Sequence, residues 1–215
     1  MDQKEQLLES WRNLHINEAV VAAFKAIPRE KFLPPKLQKY AYHDHPLPTL
    51  RSQSISQPTT IAIMLHALDV NAGHNIFEVG SGVGYQAALL AHLVGTNGHV
   101  TTTEVIPELV GLARKNLKEV GLNNVLVLEA DGSEGYPAKA PYDRIILTAA
   151  APAIPPPLVD QLKEGGIVIA PVGDLQSQTL LKGIKRHGKL ELDFMGSFTF
   201  VPMRGKYGFK EEHAV

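Results

Sequence analysis

The residues best suited to chemistry fall in three short segments near the middle of the chain. In Glu78-Val79-Gly80-Ser81-Gly82-Val83-Gly84 the glycines stand at alternate positions, where a β-rich run meets a helical one. Glycine at such a junction permits a tight turn and lets backbone N–H groups approach a ligand. The spacing also discriminates between ligands, because a dinucleotide fingerprint starting at Gly80 requires glycine at position 85, which is Tyr85. Glu104 ends the second β-rich run about 20 residues beyond this loop, where a carboxylate can bind both hydroxyls of a ribose. Asp131-Gly132 ends the third run, where a carboxylate can accept a hydrogen bond from an adenine amino group. Taken singly, Glu104 reads equally as a solvated strand-end charge and Asp131 as a turn aspartate. In this order the three strand ends converge on one adenosine.

The elements that must position these residues alternate in type. Residues 74–79, 99–104, 125–130, 144–148 and 167–170 read as short strands, and residues 85–94, 107–120 and 156–163 as helices. That alternation predicts a doubly wound α/β fold with a mostly parallel, Rossmann-like sheet covered by helices on both faces. Residues 179–186 and 190–201 flank His187-Gly188 and suggest antiparallel strands at one edge. Upstream, Leu7, Leu8, Trp11 and Leu14, then Val20, Val21, Phe24 and Ile27, have helical spacing, with Asn17 suited to cap the second helix. Prolines 34, 35, 46, 48 and 58 break residues 29–58 into irregular chain, and loops of that length are usually functional or disordered. A helix is then expected from Ser56 or Gln57, with Ser56 as N-cap, Pro58 in the first turn and an apolar stripe of Ile61, Met64, Leu65 and Leu68. The expected organisation is a single domain over residues 1–215. It comprises N-terminal helices and an acceptor-site loop (1–69), a cofactor-binding core (70–173), and edge strands with a tail (174–215).

Composition narrows the classes. With 215 residues, 44% of them hydrophobic, the chain can enclose one substantial core. A formal net charge of −1 supplies no phosphate-neutralising surface, so nucleic acid is not an expected partner. Lys182, Lys185, Arg186 and Lys189 read as a solvated strand face. The absence of cysteine excludes disulfides and thiolate chemistry. His43 and His45 flank Asp44 but lack matched further ligands, so no metal is expected. The polar start MDQKEQLLES does not read as a signal peptide, and no apolar run approaches the roughly 18 residues that span a bilayer. A cytoplasmic monomer without membrane contact is expected.

E-x-G-x-G-x-G is the loop form used by S-adenosylmethionine-dependent methyltransferases, and the likeness extends further. IPREKFLP (27–34), AYHDHPLP (41–48), QSISQP (53–58), EVGSGVGYQAALLA (78–91), PYDRIILTAAAPAIPPPLVDQLKEGGIVIAPVG (141–173) and FVPMRGKYG (201–208 with the preceding Phe200) resemble, in order, the motifs of the protein-L-isoaspartate (D-aspartate) O-methyltransferases. The resemblance implies S-adenosylmethionine as cofactor, S-adenosylhomocysteine as product, and isoaspartyl-containing peptides and proteins as substrate. It implies cofactor contacts at Glu78, Gly80, Ser81, Gly82, Gly84, Glu104, Val105, Asp131, Gly132 and Thr148. Substrate contacts are implied at Ser54, Ile55, Ser56, Ala149, Ala150 and Val201, with Ser56 at the position of the active-site serine. One departure stands out: where the family has P-I-G-x-G-Q-T-I-S, this chain has Pro48-Thr49-Leu50-Arg51-Ser52-Gln53-Ser54-Ile55-Ser56. Leu50 and Ser52 cannot follow glycine into positive φ without cost, so a loop of another shape is expected.

The chemistry so implied makes modest demands. A carboxylate acceptor with a pKa near ~4 is ionised at neutral pH and needs no strong base, only alignment, partial desolvation and hydrogen bonds to its second oxygen. Ser54 and Ser56 suit that task, and Ser56 suits equally a helix cap. Thr148-Ala149-Ala150-Ala151-Pro152 lacks the Asn/Asp-Pro-Pro-Tyr pattern that holds amino acceptors and the acidic ligands of metal-dependent catechol methyltransferases. Its small side chains either let an extended peptide approach the methyl donor or pack beneath the next loop. Two other readings are a methyltransferase for RNA or a small molecule, and a non-catalytic cofactor-binding protein with an altered acceptor loop.

Overall fold

Helix α1 (Gln3–Ser10) opens the chain, its first turn capped by Asp2, whose Oδ1 accepts the Glu5 N–H at 2.8 Å. The structure, a computed structural model, describes residues 2–210. Leu7, Leu8 and Trp11 are buried, whereas Leu14 lies past the helix end and is 50% exposed, so the apolar stripe stops a turn earlier than its spacing predicts. α2 (Glu18–Ala26) begins as expected at Asn17, whose Oδ1 accepts the Val20 N–H at 2.8 Å. The proline-broken stretch that follows is not featureless. It contains 3-10 turns at Arg29–Phe32 and Pro35–Tyr40, then a small ribbon in which β1 (Leu47–Pro48) pairs antiparallel with β2 (Ser54–Ile55). α3 (Pro58–Leu68) starts at the proline, with Gln57 in the cap position and no side-chain cap bond from it. Ser56 is therefore not the N-cap.

The main sheet is built from β3 (Asn75–Val79), β4 (His99–Glu104), β5 (Val125–Glu129), β6 (Tyr142–Leu147), β7 (Leu162–Gly173), β8 (Gln178–Arg186) and β9 (Lys189–Phe198), in the order β5-β4-β3-β6-β7-β8-β9. The first five strands in this order are parallel, and β8 and β9 add antiparallel at the edge. Helices α4 (Tyr85–Val94), α5 (Pro107–Glu119) and α6 (Pro156–Gln161) connect them. β7 is longer than expected, because Gly165-Gly166 sits within a register shift between the Tyr142↔Leu162 and Arg144↔Ile167 pairs and does not end a helix. Glycine accommodates such an irregularity inside a strand.

Strands buried on both faces carry continuous apolar runs. In β3, Ile76 packs in the larger core beneath α1 to α5, while Phe77 and Val79 face a second core with Tyr142, Leu158 and Met203. The chain passes from β3 to β4 and β5 on one side and then returns to place β6 on the other, and this reversal of strand order opens a crevice beyond the carboxyl ends of the strands. No described helix is long and apolar enough to cross a membrane.

Candidate active site

The glycine loop after β3 is bent by necessity. Gly80, Gly82 and Gly84 have φ of 91°, 51° and 88°, values that favour glycine. A Cβ at Gly80 would collide with Thr148 Oγ1, and one at Gly84 would lie 3.2 Å from the Ala113 backbone, whereas a Cβ at Gly82 would meet open space. The loop is tied to β4 by the Gly80 and Ser81 N–H groups, both donating to the Thr103 carbonyl at 2.9 Å. Glu104, buried at the end of β4, organises the next turn. Its Oε2 accepts the Gly82 N–H at 2.9 Å, and its Oε1 accepts the Val105 and Ile106 N–H groups at 2.9 and 3.1 Å. Both lone pairs of Oε1 are thereby used, and Oε2 keeps one for a ligand hydroxyl.

These strand ends open into a cleft of about 870 Å³, including its mouth. Gly80, Ser81, Gly82, Glu104, Val105, Gly132 and Thr148 line one part of it, and Ser54, Ile55, Ser56, Ala149 and Val201 the other. The β1–β2 ribbon presents Ser54 and Ile55, with Ile55 buried and Ser54 exposed, and Ser56 follows it directly. Among the described residues, neither the Ser54 nor the Ser56 hydroxyl has a hydrogen bond assigned. The departure from glycine is accommodated in an unexpected way: Ser52 does adopt a left-handed φ of 57°, its neighbour Arg51 takes 56°, and Leu50 avoids the region. The turn is closed by the Thr49 N–H donating to the Gln53 carbonyl at 2.7 Å.

Four expected residues stand off the wall. Gly84 backs onto α5, and Ala150 is buried in a bridge to Pro202, donating to Val201 O at 2.8 Å and accepting from Met203 N at 2.7 Å. Asp131 engages its carboxylate within the protein: Oδ1 accepts the Ser133 N–H at 2.9 Å and Oδ2 the Lys206 N–H at 2.7 Å. Glu78 lies beneath the loop, fully buried, with Oε2 accepting from Thr102 Oγ1 at 2.6 Å and Oε1 unpartnered. Burial, with the neighbouring Glu104 charge, pushes its pKa up to about 8 against the opposing Thr102 bond.

The sequence reading missed Gln53, Tyr85, Gln86, Ile106 and Arg204, all on the cleft wall. Tyr85 and Gln86 follow the glycine loop directly, a position that could have signalled ligand contact, but their sequence reads only as the start of the helix over 85–94. Three residues of the wall each carry a buried polar atom without a partner: Ser81 Oγ, the Tyr85 hydroxyl and Gln86 Nε2. Buried polar atoms left unpaired beside a cleft point to a polar ligand.

The model of the family protein-L-isoaspartate(D-aspartate) O-methyltransferase matches residues 2–208. The chain belongs to this family. A protein-L-isoaspartate O-methyltransferase of Methanothrix thermoacetophila is 47% identical, covering 97% of this chain and 98% of the relative. That of Methanococcoides burtonii is 50% identical over 90% of this chain and 95% of its own length. A solved structure titled protein-L-isoaspartate O-methyltransferase superposes with a TM-score of 0.87 at 29% identity, covering 95% of this chain and 67% of that one. Another, a Plasmodium falciparum protein described as in complex with S-adenosyl-L-homocysteine, shares the fold with a TM-score of 0.82 at 23% identity over 95% of this chain and 99% of that one.

Proposed function

We propose that this chain methylates the free carboxylate of L-isoaspartyl residues in damaged proteins and peptides, using S-adenosylmethionine, and so begins their repair. The observation that carries this reading is the single cleft in which a glycine loop with a bidentate carboxylate faces two hydroxyls on a ribbon. The cofactor, when bound, supplies an electrophilic methyl group on a sulfonium and leaves as S-adenosylhomocysteine. The wall suits it: Glu104 Oε2 would accept from the ribose, Gly80 to Gly82 would give close backbone approach, and the unpartnered Ser81 and Gln86 atoms would offer hydrogen bonds to its charged amino-acid end. Val105 and Gly132 flank the base, and Asp131 secures Gly132 by holding the tail beside it. Thr148 fixes the loop from below, its Oγ1 donating toward the Gly80 carbonyl at 2.6 Å.

On the acceptor side the protein has to orient an ionised carboxylate and shed part of its water. Ser56, with Ser54 beside it, donates to the carboxylate oxygen that is not methylated, and Ile55, Ala149 and Val201 give the peptide a narrow apolar passage. Methylation replaces a poor leaving group by an ester, which the neighbouring amide nitrogen can attack. On this assignment the segment up to residue 69 carries the Ser54–Ser56 side of the acceptor wall, 70–173 the donor site together with Ala149, and the edge beyond 173 adds Val201. In this reading the enzyme works as a monomer in the cytoplasm, on protein and not on nucleic acid.

The test is a paired assay with one peptide made with isoaspartate and with normal aspartate. Methyl incorporation into the isoaspartyl form alone is expected, and equal incorporation into both would sink the assignment.

A further inference from the structure

Asp44, between His43 and His45, has no metal-binding partners, since no group of metal-ligating side chains is found among the described residues. Its carboxylate instead engages the start of α3. Oδ1 accepts the Thr59 N–H at 2.9 Å, and Oδ2 accepts both the Thr59 hydroxyl at 2.8 Å and Gln57 Nε2 at 3.0 Å. Thr59 Oγ1 in turn accepts from Nε1 of the buried Trp11 at 2.7 Å, which anchors the contact to the core. A helix start offers unpaired N–H groups and a favourable dipole for a carboxylate. Here that carboxylate comes from 15 residues upstream and does the work that Gln57 and Ser56 leave undone.

This placement brackets Ser56. On one side, Leu47 pairs with Ile55 and Pro48 with Ser54. On the other, Asp44 holds Gln57 and Thr59. Ser56 is the single residue between the two clamps, half-buried on the cleft wall. We propose that Asp44 is a positioning residue for methyl transfer: by capping α3 in place of Ser56 it fixes the backbone of Ser56 and leaves that hydroxyl free to orient the acceptor carboxylate. The proposal rests on the function assigned above and extends it to a residue outside the cleft.

The test compares wild type, Asp44→Ala, Ser56→Ala and the double variant, with kcat and KM for the isoaspartyl peptide, S-adenosylhomocysteine affinity and Tm measured for each. Misplacing a reacting group by about an ångström costs on the order of 10- to 100-fold in rate. Asp44→Ala is expected to lose kcat in that range while S-adenosylhomocysteine affinity stays within about twofold. Because Asp44 acts through Ser56, the double variant should be no slower than Ser56→Ala alone. Rate losses that multiply, an Asp44→Ala enzyme with normal kcat, or a Ser56→Ala enzyme with normal kcat would each overturn the proposal. So would a parallel loss of cofactor affinity, the mark of general loosening. Should Asp44→Ala fail to fold, Asp44→Asn and Thr59→Ala, which each remove part of the hydrogen bonding, carry the same comparison. A wild-type protein that methylates neither peptide would instead overturn the assigned reaction, before any variant is made.

Discussion

Arg51 and Glu108 join the two segments that border the cleft. Arg51 Nε donates to Glu108 Oε1 at 3.0 Å, and Nη2 of the same guanidinium meets the same oxygen. Arg51 stands in the left-handed turn that joins β1 to β2, and Glu108 in the first turn of α5, just past the Glu104-Val105-Ile106 turn. Both side chains are largely exposed, so the pair adds little to stability, and its effect is expected in binding.

Glu108→Gln should therefore raise KM for the isoaspartyl peptide modestly, about 2- to 5-fold, with Tm nearly unchanged. Added salt should raise KM in the wild type and have a smaller effect in the variant. The Arg51 hydrogen bond holds the Glu108 pKa below the usual glutamate range. The contact therefore persists at mildly acidic pH and is lost only as pH falls through that lowered pKa. Identical salt responses in the two proteins would remove the pair from any role in binding.

Glu104→Ala is expected to weaken S-adenosylhomocysteine binding by roughly 1 to 3 kcal/mol, the range for lost hydrogen bonds to a charged group. Calorimetric titration of a folded variant measures it directly. Unchanged affinity would exclude Glu104 from the site.

Gly80→Ala should be destabilising on two counts, the left-handed φ of 91° and the collision with Thr148 Oγ1. Strain of the first kind costs about 1 to 3 kcal/mol. Adding Thr148→Ala removes the collision but leaves the strained φ, so partial recovery of Tm is expected in the double variant. Full recovery would show that φ is no constraint there, and none at all that the contact is not the cause.

Glu78 gives a pH test. With its folded pKa raised from 4.5 to about 8, the native state keeps a proton that the unfolded chain releases. The native state is therefore penalised progressively as pH rises from the ordinary glutamate pKa through about 8 and not below that window. Glu78→Gln, a neutral isostere, should gain stability relative to wild type across this range, by roughly 1 kcal/mol per pH unit. Denaturant midpoints at acid and alkaline pH check it, and a constant difference would contradict a protonated Glu78.

Local signals made much of this architecture legible. α4 runs from Tyr85 to Val94 and β4 from His99 to Glu104, as read, because Gly84 and Gly95 bound the helix and Val100 with Thr101, Thr102 and Thr103 forms a β-branched run. The glycine loop and Glu104 were legible for the same reason, since their partners are close in sequence or in adjacent strand ends. What escaped depends on distant chain. Ser56 reads as a cap only until Asp44 is seen to occupy the helix start. Asp131 reads as an unengaged carboxylate only until Lys206, 75 residues away, is found donating its backbone N–H to it. The left-handed Ser52 is tolerated because Arg51 and the Thr49–Gln53 contact share in defining the turn, which no single-residue preference reports.

The stitching of residues 201–207 onto the cleft has a consequence for folding. Val201 and Met203 bond to Ala150, Lys206 to Asp131 and Tyr207 to Ser133, so one wall of the cleft is held by contacts between segments distant in sequence. Such contacts must overcome a loop-closure entropy that the neighbouring-strand contacts of the sheet do not. That wall is therefore expected to dock onto a sheet already formed, and the cleft to be the last part of the fold to become complete.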